Sequence, residues 1–571
     1  MDAVHGTNDH ADFTLTARRG EGMALLAMNW RHGRPPPDFV GFSIQYQLPG
    51  SAKLLAVHNR LTFTPKERTD DDAHKSTVAP VQLFRWVHFP FNAELAGTYT
   101  YVVTPVFMDA LEALSTGPAQ TVALELAGQL SPGFDLSFTR GFVSSQAFVD
   151  YYQKSGAIST LLPGQGVDPL TFVPTHPKAA DALEWMGFGA RREILGLLDR
   201  AIADPTADVR VVAYDLDIPE VVERLERLGD RLRIIIDKSK DHKPATAPET
   251  VAEKRLAISA GSTHVARRDA DGLQHNKFIA VRGDTARGVV FGSTNFSWRG
   301  FYVQNNHALL ATEEKPVQLF FDAFDQYWTD DSAAGFGATH NTDWADLDLP
   351  GLAAQVTFSP HTEPNARLVE VARDIDGPQT ECVFYSLAFL YQTEGPILEA
   401  LKTVTHRPHT FVYGLSDKGV DGLDVTVGDN PRTVSPSQLQ GPDVPEPFRS
   451  EPVGGSGIRM HHKFVVIDPF TDRSRVYAGS YNFSGAADTQ NGENLILIKD
   501  PRVATAFAVE TLRMFDHYSW RLKVSEHDEG VLAGGDPAPL LLRKPPGPGE
   551  DAWWQKHYDD PVRSRDREFF S

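Results

Sequence analysis

One cysteine, Cys382, stands in 571 residues. That excludes an internal disulfide framework and a thiolate zinc cluster. It lies beside the apolar run Val383-Phe384-Tyr385, where a small buried core residue is expected rather than a nucleophile. No apolar run approaches the length of a membrane span. Met1 to Gly6 hold neither a basic nor an apolar segment, so no secretory leader is visible. A soluble chain is expected, cytoplasmic or exported without such a leader. Basic side chains are in deficit, 55 Lys and Arg against 75 Asp and Glu, for a formal charge of −20. The balance argues against nonspecific coating of nucleic acid, which needs a basic footprint. A deep site can still be positive on an acidic body. A glycine-rich phosphate loop and a dinucleotide fingerprint are both missing. No cofactor is expected.

The chain does have apolar material, 41% of its residues, enough for several cores and two to four domains. Residues 10 to about 128 read as all-β. Phe13-Thr14-Leu15-Thr16-Ala17, Phe42-Ser43-Ile44-Gln45-Tyr46 and Thr98-Tyr99-Thr100-Tyr101-Val102 alternate between Pro/Gly-rich turns. Several such strands predict a β-sandwich. The Trp30 segment, the Phe42–Tyr46 strand and Gly97–Tyr101 resemble a fibronectin type III-like domain.

Beyond Pro132 strands and helices alternate. Val209–Tyr214 reads as a strand, Val221, Val222, Leu225 and Leu228 as one face of a helix, and Leu232–Ile236 as a second strand. The series returns with Glu381–Tyr385, Pro396–Leu401 and Thr410–Tyr413. The predicted fold is multidomain: an all-β sandwich over 1–128, two pseudo-symmetric α/β lobes over 129–350 and 351–530, and a tail over 531–571. The lobes divide near Pro350-Gly351. Trp553-Trp554 and Phe569-Phe570 suggest that the tail packs on the body.

The repeat carries chemistry. The first copy reads His275-Asn276-Lys277-Phe278, then Gly292-Ser293-Thr294-Asn295-Phe296-Ser297, then Asn306. The second reads His461-His462-Lys463-Phe464, then Gly479-Ser480-Tyr481-Asn482-Phe483-Ser484, then Glu493. Counted from each first glycine, Asn stands at +3, Ser at +5, and Asn306 or Glu493 at +14. A lone His-x-Lys is no signal, but polar positions matched this closely cannot come from composition. One His and one Lys per copy suggest two half-sites around a single phosphate. Arg267, Arg268, Arg287 and Arg299, with Arg459 in the second copy, thicken the positive charge nearby.

If each His-x-Lys-Phe is a strand, His and Lys share a face. A neutral imidazole can attack phosphorus and an imidazolium can protonate a leaving oxygen, so two histidines allow double displacement through a phosphohistidine without metal. Lys277 and Lys463 would hold the non-bridging oxygens. Asn295 and Asn482 at +3, Ser297 and Ser484 at +5, and Ser293 and Ser480 could add neutral donors. Asn306 and Glu493 would set each tautomer. Pairing within each copy would give His461 the carboxylate, make it the general acid and leave His275 as nucleophile. His461-His462 invites a metal reading, but adjacent strand residues face opposite sides. His406 and His409 read as a surface turn, and Asp70-Asp71-Asp72 as a solvated loop. No metal is expected.

These residues resemble the phospholipase D superfamily, whose signature is His-x-Lys-x4-Asp with a downstream Gly-Ser-x-Asn block, present twice. The second copy fits throughout, Asp468 included. In the first, Arg282 replaces the signature aspartate, with Asp284 two residues later. The resemblance implies that this aspartate is structural, so its loss bears on strand anchoring. It also implies a metal-independent phosphodiesterase but not its substrate. The negative charge and the many aromatics favour hydrolysis of phospholipid head groups, with peripheral membrane contact. Two half-sites in one chain predict a site complete in one monomer. The alternatives are a nuclease of the same chemistry and a non-catalytic phosphate-binding relative with a degenerate first motif.

Overall fold

The computed structural model describes all residues except 1–2, 68–69, 142–144, 165, 409, 424–425, 428–429, 432, 436–459 and 533–539. Arg459 and His409 therefore lie outside the described residues. The N-terminal strands form two antiparallel sheets. One joins Ala3–His5, Phe13–Gly20, Met23–Trp30 and Arg85–His88. The other joins Leu55–Ala56, Phe39–Gln47 and Thr98–Met108, and this last strand also pairs Leu114–Thr116 and Gln120–Glu125. Period-2 alternation puts Phe13, Leu15, Phe42, Ile44, Tyr99 and Tyr101 into one core shared by both sheets. Met23–Trp30 is apolar on both faces for a reason. Ala24, Leu26 and Met28 enter that shared core, while Met23, Leu25 and Ala27 enter the core of the lobes.

The two lobes repeat one strand order. The first sheet runs Phe134–Phe138, His307–Ala311, Arg287–Gly292, Phe278–Arg282, Asp208–Ala213, Leu232–Asp237, Val265–Arg268. The second runs Ala353–Ser359, Glu493–Lys499, Arg475–Gly479, Lys463–Ile467, Cys382–Leu387, Phe411–Leu415, Thr433–Val434. In each, parallel pairing is confined to the last three strands, the βαβ part. Helix Pro219–Leu228 shows why the pattern folds this way. Pro219 opens it, Val221, Val222, Leu225 and Leu228 bury one face, and Gly229 at φ 60° ends it. The second sheet also takes Ala345–Asp346 at its edge, so it begins a few residues before Pro350.

Helix Pro501–Leu532 packs against the second sheet and the N-terminal strand Phe13–Gly20. Arg85 ties the N-terminal module to the second lobe through Asp516 (2.9 Å) and Asp566 (3.3 Å). The tail crosses the same junction. Trp553 and Trp554 join the N-terminal core, and Phe570 joins the core of the lobes. Among the described residues, no helix is long and apolar enough to cross a membrane.

Candidate active site

The two motif copies meet where the lobes abut. Gln274 forms a parallel bridge with Gly492, and Asn305 forms one with Met460. Each bridge sits one residue before a functional pair, His275 with Glu493 and Asn306 with His461. Regular strand begins only at Phe278 and at Lys463, so both histidines stand just outside the ladders on which they were expected. They leave their own sheets to pair across the interface.

His275 Nδ1 lies 2.7 Å from Glu493 Oε2, and His461 Nδ1 lies 3.0 Å from Asn306 Oδ1. The expected pairing within each copy is therefore wrong: every +14 residue serves the other copy's histidine. The adjacent interlobe backbone bridges enforce this, because they align each +14 residue with the foreign motif rather than its own. The role argument built on same-copy pairing falls with it. A ring that donates from Nδ1 keeps its Nε2 lone pair, so both histidines are set as neutral Nδ1–H tautomers.

The residues that follow are paired in the same crossed manner. Asn494 Nδ2 donates to Asn276 Oδ1 at 2.9 Å. On the other side His307 and His462 stack at 8° with Nδ1 atoms 3.3 Å apart. Gly479 N–H donates to His307 Nε2, and His462 Nε2 faces Glu510 at 3.3 Å. One tautomer assignment satisfies the whole chain, with each ring donating toward Glu510. His462 thus belongs to the lobe interface and not to the phosphate.

Lys277 and Lys463 are both 1% exposed. Each ammonium donates to the carbonyl of its own histidine and lies over one aromatic ring, Tyr214 at 4.8 Å or Phe389 at 5.5 Å. Burial pushes the His275 imidazole down to about 4; Glu493 opposes this and Lys277 adds to it. Burial pushes Lys277 down to about 8, against the opposing charge of Glu493 and Asp215. His461 and Lys463 go further below their ordinary ranges, chiefly by burial, with Lys277 adding to both. Burial, more than the neighbouring charges, favours the uncharged forms. An arriving phosphate would restore the charges.

The small polar residues hold the frame. Ser293 Oγ donates to Asn306 Oδ1 at 2.9 Å, and Ser480 Oγ accepts from Asn494 N at 3.0 Å. Ser297 Oγ accepts from Gly300 N, and Ser484 Oγ caps the helix Gly485–Thr489. These four hydroxyls, expected as donors to substrate, are thus engaged by the scaffold, and Asn306, also expected at the substrate site, is taken up by His461 and Ser293. Asn295 donates to Asp215 at 2.5 Å. The amide oxygens of Asn295 and Asn482 are buried without a protein partner, one in each copy.

Asp468 accepts from Glu381 N and Cys382 N at 2.9 Å each, a structural task. In the first lobe Asp204 does the equivalent work from the opposite side of the turn, accepting from Thr285 N and Ala286 N. Arg282 instead covers Phe321, and Asp284 is exposed. Asp204 carries no motif signal, so the sequence could not single it out. Asp215, Asp237, His242 and Glu249 were missed for the same reason. The donor atoms of Asp215, His242 and Glu249 lie within 4.8 Å of one another, close enough to surround a cation. His406 bonds the Lys402 carbonyl at the surface, and Asp72 pairs with Lys75 in an exposed turn.

Residues 198–328 and 372–515 match the family described as cardiolipin synthase, PLD-like domain. Each matched stretch falls within one lobe. The curated "Phospholipase D" of Rickettsia felis is 43% identical over 47 residues, 8% of this chain and 22% of that protein. The chain thus spans about a fifth of the length of that relative. Among solved structures, phosphatidylserine synthase of Haemophilus influenzae aligns over 61% of this chain and 92% of its own, at 12% identity and TM-score 0.40. Polyphosphate kinase of Porphyromonas gingivalis aligns over 94% and 80%, at 9% identity and TM-score 0.37.

Proposed function

We propose that the protein is a phosphodiesterase of the phospholipase D type that hydrolyses phospholipid head groups through a covalent phosphohistidine. The observation that carries this reading is the crossed pairing of two His-x-Lys segments in one buried, cation-rich site. His275 is the nucleophile. Its Nε2 attacks phosphorus, and as the N–P bond forms the ring becomes cationic, with Nδ1–H held against Glu493. This replaces the argument from same-copy pairing and reaches the same assignment. His461, recharged by the bound phosphate, protonates the leaving oxygen and then activates the water that releases the phosphohistidine. Lys277 and Lys463 hold the non-bridging oxygens, and the amide nitrogens of Asn295, through the hydrogen not given to Asp215, and of Asn482 donate to the diester. The N-terminal sheet pair is read as a fibronectin type III-like sandwich that braces the lobes.

The acidic chain favours lipid over nucleic acid. Purified protein assayed in parallel on phosphatidylcholine vesicles and on plasmid or single-stranded DNA, with EDTA present, tests this directly. Choline release in EDTA supports the reading, and DNA cleavage alone replaces the substrate class. Loss of turnover restored by a divalent ion would overturn the mechanism. His275→Ala and His461→Ala should each lower turnover by at least about 10³-fold. Acid-quenched substrate should leave phosphate on the peptide that contains His275. Phosphate on His461 would reverse the two roles.

A further inference from the structure

We propose that His242, which lies outside both motif copies, is a positioning residue for the first half-site, clamping the carboxylates that hold Asn295 and the segment entering His275. The inference rests on the phosphodiesterase reading above. His242 Nδ1 lies 2.7 Å from Asp237 Oδ2, and its Nε2 lies 3.3 Å from Asp215 Oδ1 and 3.9 Å from Glu249 Oε1. The ring is thus bound from both ends. Each carboxylate it touches has a second task. Asp237 Oδ1 accepts from Gln274 N at 2.8 Å, the residue immediately before His275. Asp215 Oδ2 accepts from Asn295 Nδ2 at 2.5 Å. One side chain therefore links the two sequence segments of the first half-site. Tyr214 fills the space between, with its ring 4.8 Å from His242 and 4.6 Å from His275.

Charge explains why a histidine stands here. Three carboxylates from three elements face one another in a buried space: Asp215 after Asp208–Ala213, Asp237 at the end of Leu232–Asp237, and Glu249 on helix Pro248–Ser259. Without a cation among them they would repel and desolvate one another. Lys277 acts on Asp215 from the phosphate side, and Arg267 closes the far side, bonded to the Asp237 and His242 carbonyls. His242 supplies the central positive charge. Burial disfavours that charge, but Asp215, Asp237 and Glu249 together push the imidazole up to about 10. Asp417 in the second lobe accepts from Met460 N, just before His461, at 3.4 Å. The aspartate anchor is thus common to both copies.

The test is a double-mutant cycle on the full chain. His242→Ala should lower kcat about 10- to 100-fold, as expected when a reacting group shifts by about an ångström, with KM within about 3-fold. Asn295→Ala alone should cost a comparable factor. The double variant should lose little more than the worse single variant, because His242 acts through the group already removed. Additive losses, or a kcat within about 2-fold of wild type, would overturn the proposal. His242→Gln, which keeps a donor toward Asp215, serves if the alanine variant fails to fold, and partial recovery of kcat is expected of it. Should the wild type turn over neither lipid nor DNA, the functional reading fails on its own. The ¹⁵N shifts of the His242 ring at pH 8 then decide the clamp: two protonated nitrogens support it, and a neutral ring overturns it. A stoichiometric divalent ion on the purified protein, with activity lost on its removal, would overturn it in favour of a metal site.

Discussion

Glu493 and Asn306 make the two motif histidines unequal. A carboxylate beside His275 favours the cationic ring that the proposed phosphorylation would create, and an amide beside His461 does not. The pH profile of the free enzyme should follow from His275 and the two lysines. His275 attacks only when neutral, so kcat/KM should fall as pH drops through about 4. Lys277 and Lys463 bind phosphate only when charged, and Lys463 is held lower still, so kcat/KM should already be falling before pH reaches about 8. A profile flat to pH 10 would remove Lys277 from substrate binding. Two aspartates at one turn separate structural from incidental carboxylates. Asp204→Ala should lower the thermal midpoint clearly, since it strands Thr285 N and Ala286 N. Asp284→Ala should leave midpoint and turnover in place, and equal losses from both would show that Asp284 shares the anchor.

Across the lobe interface the matched elements use different chemistry in equivalent places, an amide pair at Asn276 and Asn494 and an imidazole pair at His307 and His462. Burial depresses both imidazoles. A histidine whose folded pKa lies below its unfolded value gives stability that is full above about pH 6.5 and lost as pH falls toward the folded value. The unfolded chain then binds up to two more protons at this pair, a slope of at most about 2.7 kcal/mol per pH unit. His307→Asn with His462→Asn, which copies the other side of the interface, should flatten the fall in thermal midpoint between pH 6.5 and 5. An unchanged slope would mean that the pair does not govern acid sensitivity. The elements themselves, though not their exact ends, were legible in the sequence. Strands Asp208–Ala213 and Phe411–Leu415 and helix Pro219–Leu228 lie where apolar periodicity put them, because local burial pattern fixes them.

At the scale of the whole molecule, the N-terminal sheets, the second lobe and the tail are fastened together. Trp553 Nε1 donates to Phe39 O at 2.9 Å inside the N-terminal core, while Phe570 packs against Phe411 of the second lobe. Trp553→Ala should cost about 3–5 kcal/mol, the range for a large aromatic removed from a core. The loss should appear as a lower denaturation midpoint with the active-site residues untouched. A variant as stable as wild type would show the tail to be a passenger.

The sequence by itself determined the repeat, the residue types and spacing of its two His-x-Lys segments, and the alternation that makes each lobe an α/β sheet. Those signals are local: residue type and spacing carry them. Three things were left to tertiary structure. Glu493 serves His275, Asp204 replaces the missing motif aspartate, and His242 gathers Asp215, Asp237 and Glu249 beneath Lys277. The first two join residues far apart in the chain through one or two hydrogen bonds, the third joins side chains of three separate elements, and no periodicity records such partners. The crossing of +14 residues could not be read from either copy alone, because it arises only when two lobes dock with each half-site set against the other's strand.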